Sequence, residues 1–412
     1  MPSTKGSAAA APTSKASSTP ATKTPDAKCP VPAPATNKED LANVPEYTTI
    51  PVLDVGIALD APASAFTEPG PHGDALRALA LQMREACTQC GFFLIKNHGV
   101  PDAQIEDMVS QCRRLFALPK EVKEQFRVGH NLGYFAIGEE NLNPAVQVHD
   151  GDFKEGMDLV ADVQDRRPGE VATPYPTNAQ VPGFRAACEA YFDVMTKLGR
   201  AVMRVLAVAM GQPATFFDRA LARPRSQLRL LRYPAAPPGM TEARLSCGAH
   251  TDYGGITMLA VDSPGLQVLV PSATASTSNS ASDVVAHPTS RAHASIHGGT
   301  WMRVPVFPGT LVVNLADMIA RYTNRTFHST LHRVVHAGVD RDRFSIPFFF
   351  DMDAETVVQV LPQFVPGGEL ASKEIKETYF PEPIVFGEHL MRQVESTFGA
   401  TGKQDKGEVA AS

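Results

Sequence analysis

Two pairs of polar residues, each split by a single residue, constrain this chain more than any other feature. His250 and Asp252 form the first, inside Gly248-Ala249-His250-Thr251-Asp252-Tyr253-Gly254-Gly255; Arg343 and Ser345 form the second. In an extended segment, residues i and i+2 point to the same side. The first pair therefore aims an imidazole and a carboxylate at one point from one strand end, which suits a metal ion. The second aims a guanidinium fork and a hydroxyl from one face of another strand.

A second imidazole would complete a set of two histidines and one carboxylate. Three histidines compete for that place. His328, His332 and His336 recur at four-residue spacing, which would line one face of a helix. The run from Thr330 to Val335 is β-branched, however, and follows Asn324-Arg325, so it predicts a strand. His332 is the choice, because Arg343 and Ser345 follow a short distance on. Two histidines and a carboxylate leave other coordination positions open, the arrangement of non-haem Fe(II) sites that must admit oxygen and an organic chelator together. The arginine and hydroxyl suit a carboxylate at the far end of that chelator.

The neighbouring segments read as a β core. Gln227 to Tyr233 is a strand in which Arg229, Leu231 and Tyr233 share a face. If Tyr233 faces the cavity, so does Arg229, and a buried arginine needs an anion. The co-substrate or Asp252 is expected to supply it. Ile256–Ala260 and Leu266–Val270 flank Asp262-Ser263-Pro264-Gly265, which predicts a tight hairpin. Trp301–Val306 resumes the sheet, Pro308-Gly309 turns into the return strand Thr310–Leu315, Asp317 faces a loop that carries Tyr322 and Asn324, and Phe348–Phe350 ends the core. Between them, residues 271–299 are rich in Ser, Thr and Ala. They read as a flexible insertion, with His287, His293 and His297 as bystanders.

Upstream, Leu76, Leu79, Met83, Cys87 and Cys90 recur at helical spacing up to Gly91, and the strand Phe92–Ile95 follows. Cys87 and Cys90 have redox spacing, but both fall on that apolar stripe. His98 reads as structural. Asp102 is placed as a helix cap. A long helix is expected from Val181 to Met210, its stripe running from Phe184 through Tyr191 and Leu198 to Ala209. Glu139 and Glu140 read as solvated loop charges, with contact to a cationic substrate group as the sharper alternative. Phe386–Arg392 starts a last helix that would cover the barrel; His389 on it is left out of the site.

These pieces, in this order, resemble the Fe(II)- and 2-oxoglutarate-dependent oxygenases of the isopenicillin N synthase-like group. The resemblance rests on Arg-Tyr-Pro at 232–234, His-Thr-Asp at 250–252, Gly-Leu-Gln-Val at 265–268 and Trp-Met-Arg-Val-Pro at 301–305. It rests equally on Pro-Gly-Thr-Leu-Val-Val-Asn-Leu-Ala-Asp at 308–317, His-Arg-Val at 332–334 and Arg-Phe-Ser at 343–345. With the run Cys90–Val100 it covers roughly 48–395. It implies an α+β fold: a double-stranded β-helix, or jelly-roll, braced by N-terminal and long central helices. It implies iron on His250, Asp252 and His332, and 2-oxoglutarate chelating that iron with its distal carboxylate on Arg343, helped by Ser345 and Tyr233. O2 and a small-molecule substrate follow, with hydroxylation or desaturation as the outcome and ascorbate as a stimulant. In many relatives Asn stands at the position of Leu231, so this chain departs there. An oxidase independent of 2-oxoglutarate, or a binding protein that keeps the barrel without turnover, are the alternatives.

Composition narrows the setting. Net charge is −6 and no basic excess argues for nucleic acid or a membrane surface. No run of about 18 apolar residues is present to span a bilayer. The six cysteines are scattered, which fits a reducing cytoplasm. A monomer is expected. The domain reading is 1–45 as a disordered tail, since Ala, Pro, Ser, Thr and Lys dominate there, and 46–215 as an N-terminal helical and strand region. Residues 216–355 form the catalytic core, 356–400 a covering segment, and 401–412 a loose tail.

Overall fold

Several central strands of the large sheet, Phe92–Lys96, Glu155–Val160, Arg225–Tyr233, Ile256–Val261, Thr310–Leu315 and Arg343–Asp351, are buried along nearly their whole length, so both of their faces are covered. The computed structural model describes residues 43–129, 131–143, 151–161, 167, 170–235, 244–271, 299–336, 341–368 and 382–398. These lie in one unit, Pro34–Ser412. The tail before residue 43, the inserted stretch 272–298 with its three histidines, part of the covering segment and the tail after 400 fall outside the described residues.

In chain order the strands are β1 (Val52–Asp54), β2 (Phe92–Lys96), β3 (Arg127–Gly129), β4 (Leu132–Phe135), β5 (Glu155–Val160), β6 (Arg225–Tyr233), β7 (Arg244–His250) and β8 (Ile256–Val261). Then come β9 (Leu266–Pro271), β10 (Gly299–Arg303), β11 (Thr310–Leu315), β12 (His332–His336) and β13 (Arg343–Asp351). The helices are α1 (Pro71–Gln89), α2 (Asp102–Phe116), α3 (Lys120–Lys123), α4 (Phe184–Ala209), α5 (Asp317–Tyr322) and α6 (Phe386–Phe398). Among the described residues, one sheet runs β1-β2-β11-β8-β13-β6-β5-β4-β3 and a second runs β10-β9-β12-β7.

Period-two alternation divides the core between two layers. On β2, Phe93 and Ile95 join the helix side while Phe92 and Leu94 face the second sheet. On β6, Leu228 and Leu230 meet the helix layer, and Leu231 and Tyr233 turn inward. The inward set meets Cys247, Leu266, Val268 and Val334 of the second sheet. Two facing sheets with helices on one outer side make an α+β fold with a jelly-roll core, as expected.

Helix α4 braces the large sheet closely. A Cβ at Gly199 would lie 2.7 Å from the Phe350 ring, so only glycine lets the helix sit this near β13. Fully burying side chains such as Phe348 and Phe350 contributes about 1.5–3 kcal/mol each, and both are 0% exposed.

Three local expectations differ from the structure. The turn at Asp262–Gly265 is not a hairpin: β8 pairs with β11 and β13, whereas β9 pairs with β10 and β12, so this turn carries the chain between sheets. Pro and Gly mark a sharp reversal but not which strand will be the partner. Asp102 is the first residue of α2, and the cap position is Pro101 with no side-chain bond. The loop expected after Asp317 is the short helix α5. Cys87 and Cys90 are buried, and burial pushes both thiols up, Cys90 to about 11, which makes them poor redox groups.

Candidate metal centre and co-substrate slot

Strand pairing brings the candidate metal ligands together. His250 ends β7 and His332 begins β12, and the two are direct partners in the antiparallel register. Their ring centroids lie 4.2 Å apart. Asp252 sits just past the end of β7, with Oδ1 3.6 Å from His250 Nε2 and 3.5 Å from His332 Nε2. One ligand atom from each of the three falls within 4.8 Å of the others. His328 is elsewhere: its amide donates to the Cys87 carbonyl, against the end of α1. The side chain of His336 lies outside the described residues.

Each ligand is held so that one atom is left for metal. His250 Nδ1 is 2.8 Å from the Gly248 carbonyl and His332 Nδ1 is 3.0 Å from the Thr330 carbonyl. A carbonyl only accepts, so each Nδ1 carries a proton, and in the neutral ring this leaves Nε2 as the atom with the lone pair. On Asp252, Oδ2 accepts from Thr257 at 2.5 Å and from Asn314 at 2.6 Å, which frees Oδ1 to face the histidines. Thr257 and Asn314 are themselves cross-strand partners on β8 and β11. Burial alone would raise the Asp252 carboxyl, but His332, His250 and Thr257 outweigh it and hold it well below the usual carboxylate range. Burial depresses the His250 imidazole, so it stays neutral, the form that binds metal. The backbone is fixed too: the Asp317 amide donates to the Asp252 carbonyl, and Met318 donates to that of Gly254.

Thr257 and Asn314 were not singled out from the sequence. The signal was available: Thr257 is the lone polar residue of β8 and Asn314 the lone polar residue of β11 after its first position, and a buried polar side chain needs a partner.

One buried arginine has no counter-ion among the described residues. Arg343 is 1% exposed, its Nε donates to the Ser263 carbonyl at 3.1 Å, and its Nη1 has no hydrogen-bond partner. Its guanidinium lies over the Tyr233 ring, 4.9 Å from the centroid, and the two residues are cross-strand partners. Ser345 is buried on the same strand face, opposite Leu231. Gly265 makes room: a Cβ there would be 3.1 Å from Arg343 Nε, and its φ of +145° disfavours any other residue. A buried cation with an unused donor is unstable unless something anionic meets it.

Arg229 corrects an expectation. It faces inward, but its anions are protein groups. Its Nε and Nη2 bind Asp158 at 2.6 and 2.8 Å, and Nη1 binds Glu140 at 2.9 Å. Asp158 is its direct partner across β5 and β6, so sheet register decides the pairing. Neither Asp252 nor a co-substrate is required to neutralise it. Glu140 is likewise no solvated charge. It is 3% exposed, and although burial opposes it, Arg229 and Lys154 lower it to about 2. Glu139 pairs with Arg127 at 2.7 Å nearer the surface. His98 is structural: its Nδ1 accepts from the Val100 amide.

Known proteins share this pattern. The family described as "non-haem dioxygenase in morphine synthesis N-terminal" matches residues 50–182, and the "2OG-Fe(II) oxygenase superfamily" matches 225–352. A 2-oxoglutarate-dependent dioxygenase of Aspergillus niger, caaD, is 32% identical over 307 residues, covering 73% of this chain and 85% of that protein. The chain belongs to the Fe(II)- and 2-oxoglutarate-dependent oxygenases. A Glycine max relative named homoarginine-6-hydroxylase 2-ODD-C23 is 28% identical over 86% of this oxygenase and 98% of its own length. The crystal structure of a full-length Neurospora crassa protein in complex with alpha-KG superposes with a TM-score of 0.64 at 27% identity, covering 84% of this chain and 95% of that one. This oxygenase thus uses Fe(II), 2-oxoglutarate and O2 to oxidise a small organic substrate. Among the described residues, no helix is long and apolar enough to cross a membrane.

Both groups fit the residues present. The two free Nε2 atoms and the free Oδ1 match the donor set that Fe(II) takes. The unpartnered Nη1 of Arg343 matches a carboxylate.

Proposed function

We propose that His250, Asp252 and His332 hold the iron, and that Arg343, with Ser345 and Tyr233, takes the distal carboxylate of 2-oxoglutarate. The observation that carries this reading is the buried Nη1 of Arg343, without a hydrogen-bond partner among the described residues, on the strand face that also carries Ser345. When bound, iron and 2-oxoglutarate supply oxidative decarboxylation, releasing succinate and CO2 and yielding an oxidant strong enough for an unactivated C–H bond. The outcome we propose is hydroxylation or desaturation.

The protein's own contribution is placement. The two Nδ1–H bonds fix the tautomers, so neither histidine spends a proton on binding metal. Thr257 and Asn314 hold the Asp252 carboxylate by one oxygen. Arg343 neutralises the far carboxylate and sets how deeply the co-substrate enters. The apolar residues between the sheets, Leu231, Leu259 and Val268 among them, keep water from that path. Arg229 drops out of the co-substrate slot because Asp158 and Glu140 saturate it; it lies instead between Phe135 and Phe349, 5.2 and 5.8 Å from their ring centroids. Ascorbate as a stimulant, a monomeric state and a cytoplasmic location complete the reading.

Anaerobic addition of Fe(II) and 2-oxoglutarate should give a visible charge-transfer band that Asp252→Ala abolishes. A wild-type protein with no band refutes the assignment. Succinate release measured against a panel of small amino acids, nucleobases and alkaloid-like compounds identifies the substrate.

A further inference from the structure

We propose that Asp152, locked by Lys154, is a positioning residue that fixes the β-bulge aiming His250 at the metal. The proposal rests on the metal-site reading above. Among the described residues strand β7 is the edge of its sheet, with a strand neighbour on one side only. On its paired side the register is irregular. His250 opposes His332 and Cys247 opposes Val334, so Gly248 and Ala249 stand against Arg333 alone. Such a bulge re-aims the next side chain and leaves an amide out of the ladder. A buried amide without a partner costs about 1–3 kcal/mol.

Asp152 supplies that partner. Its Oδ1 accepts from the Gly248 amide at 2.9 Å, while the Gly248 carbonyl faces His250 Nδ1 at 2.8 Å. The backbone at Gly248 is therefore gripped on the amide side by a carboxylate and on the carbonyl side by the metal ligand. Asp152 is 0% exposed and is held in turn. Its Oδ2 binds Lys154 Nζ at 2.8 Å; the same ammonium reaches Glu140 at 2.7 Å and Cys247 Sγ at 3.1 Å. The ammonium thus donates to Asp152 and Cys247 and pairs its charge with Glu140. Lys154 is 1% exposed, so the carboxylate cannot swing without stranding a buried charge.

The test measures metal affinity beside fold stability. Co(II), a spectroscopically visible stand-in for Fe(II), is titrated anaerobically into wild type, Asp152→Ala, Asp152→Asn and Lys123→Met, with thermal melts of each metal-free protein. Partners that orient metal-bound histidines are worth about 10–100-fold in affinity. Asp152→Ala should weaken Co(II) binding about tenfold, and Asp152→Asn, which keeps an acceptor for Gly248, should recover part of the loss. Lys123→Met breaks a different buried ion pair, Lys123–Glu155 at 2.6 Å, and should lower the melting temperature while leaving Co(II) affinity unchanged. A folded Asp152→Ala protein that binds Co(II) as tightly as wild type overturns the proposal, as does an equal loss in Lys123→Met. Hydrogen exchange on wild type stands apart from whether any variant folds: the Gly248 amide should be protected, and exchange at the rate of an exposed loop also overturns it. Absence of Co(II) binding by wild type itself refutes the metal site instead.

Discussion

Arg343→Met offers the sharpest separation of binding from stability in this oxygenase. In the free protein Arg343 is a buried cation with no carboxylate in ion-pair range among the described residues. Methionine of similar volume removes that uncompensated charge, a change worth about 1–4 kcal/mol of stabilisation where buried ions are replaced. Against it stand the Tyr233 ring contact, about 1–2 kcal/mol, and the bond to the Ser263 carbonyl, about 1 kcal/mol. The two sides nearly cancel, so the melting temperature of the free protein should stay within about 4 °C of wild type. Binding should behave differently. Truncating one partner of a buried charge pair costs about 2–5 kcal/mol, and about 3 kcal/mol is roughly a hundredfold in Kd. At 2-oxoglutarate equal to 100 times the wild-type Kd, wild type gains about 2.7 kcal/mol, whereas the variant gains about 0.4 kcal/mol. Scanning calorimetry with Mn(II) should thus show a co-substrate shift of about 5 °C shrinking to about 1 °C. A variant keeping the full shift removes Arg343 from the slot. A free variant melting more than about 10 °C lower shows that the guanidinium is structural instead.

Further outcomes follow from the same geometry. His332→Ala should abolish iron retention measured by metal analysis after gel filtration, whereas His328→Ala should keep it, since His328 lies against the end of α1; retained iron without His332 reassigns the ligand. Asn314→Leu should weaken Fe(II) binding about 10–100-fold by releasing the second oxygen of Asp252, read by anaerobic titration; unchanged affinity means Thr257 alone suffices. Replacing 272–298 by a short turn should preserve co-substrate turnover, because Pro271 and Gly299 are direct partners across β9 and β10; complete loss makes the insertion part of the site. His389 is lowered by burial, then by Arg392 and Arg321, to about 4. The folded protein therefore binds fewer protons there than the unfolded chain, and stability is lost as pH falls from about 6.5 towards 4. His389→Leu should flatten that part of the melting-temperature profile, and an unaltered slope assigns the loss to other groups.

Features that depend on local spacing are legible in the chain before any fold is known. A His-x-Asp at a strand end, a histidine in a β-branched run and an Arg-x-Ser downstream carry their orientation with them, because side chains alternate along an extended chain. Alternation also placed Arg229 and Tyr233 on one inward face, and the 3.6-residue helical period put the stripe of α4 against the sheet. What it left open was every question of partner. Asp262–Gly265 reads as a hairpin until the two strands around it are seen in different sheets. Arg229 needed an anion, but only the register of β5 against β6 supplies Asp158. Glu140 looked like a loop charge until the fold buried it on Lys154 and Arg229. Pairing across a sheet joins residues far apart in the chain, and such contacts leave no period in the sequence, so only the tertiary structure decides which charge meets which.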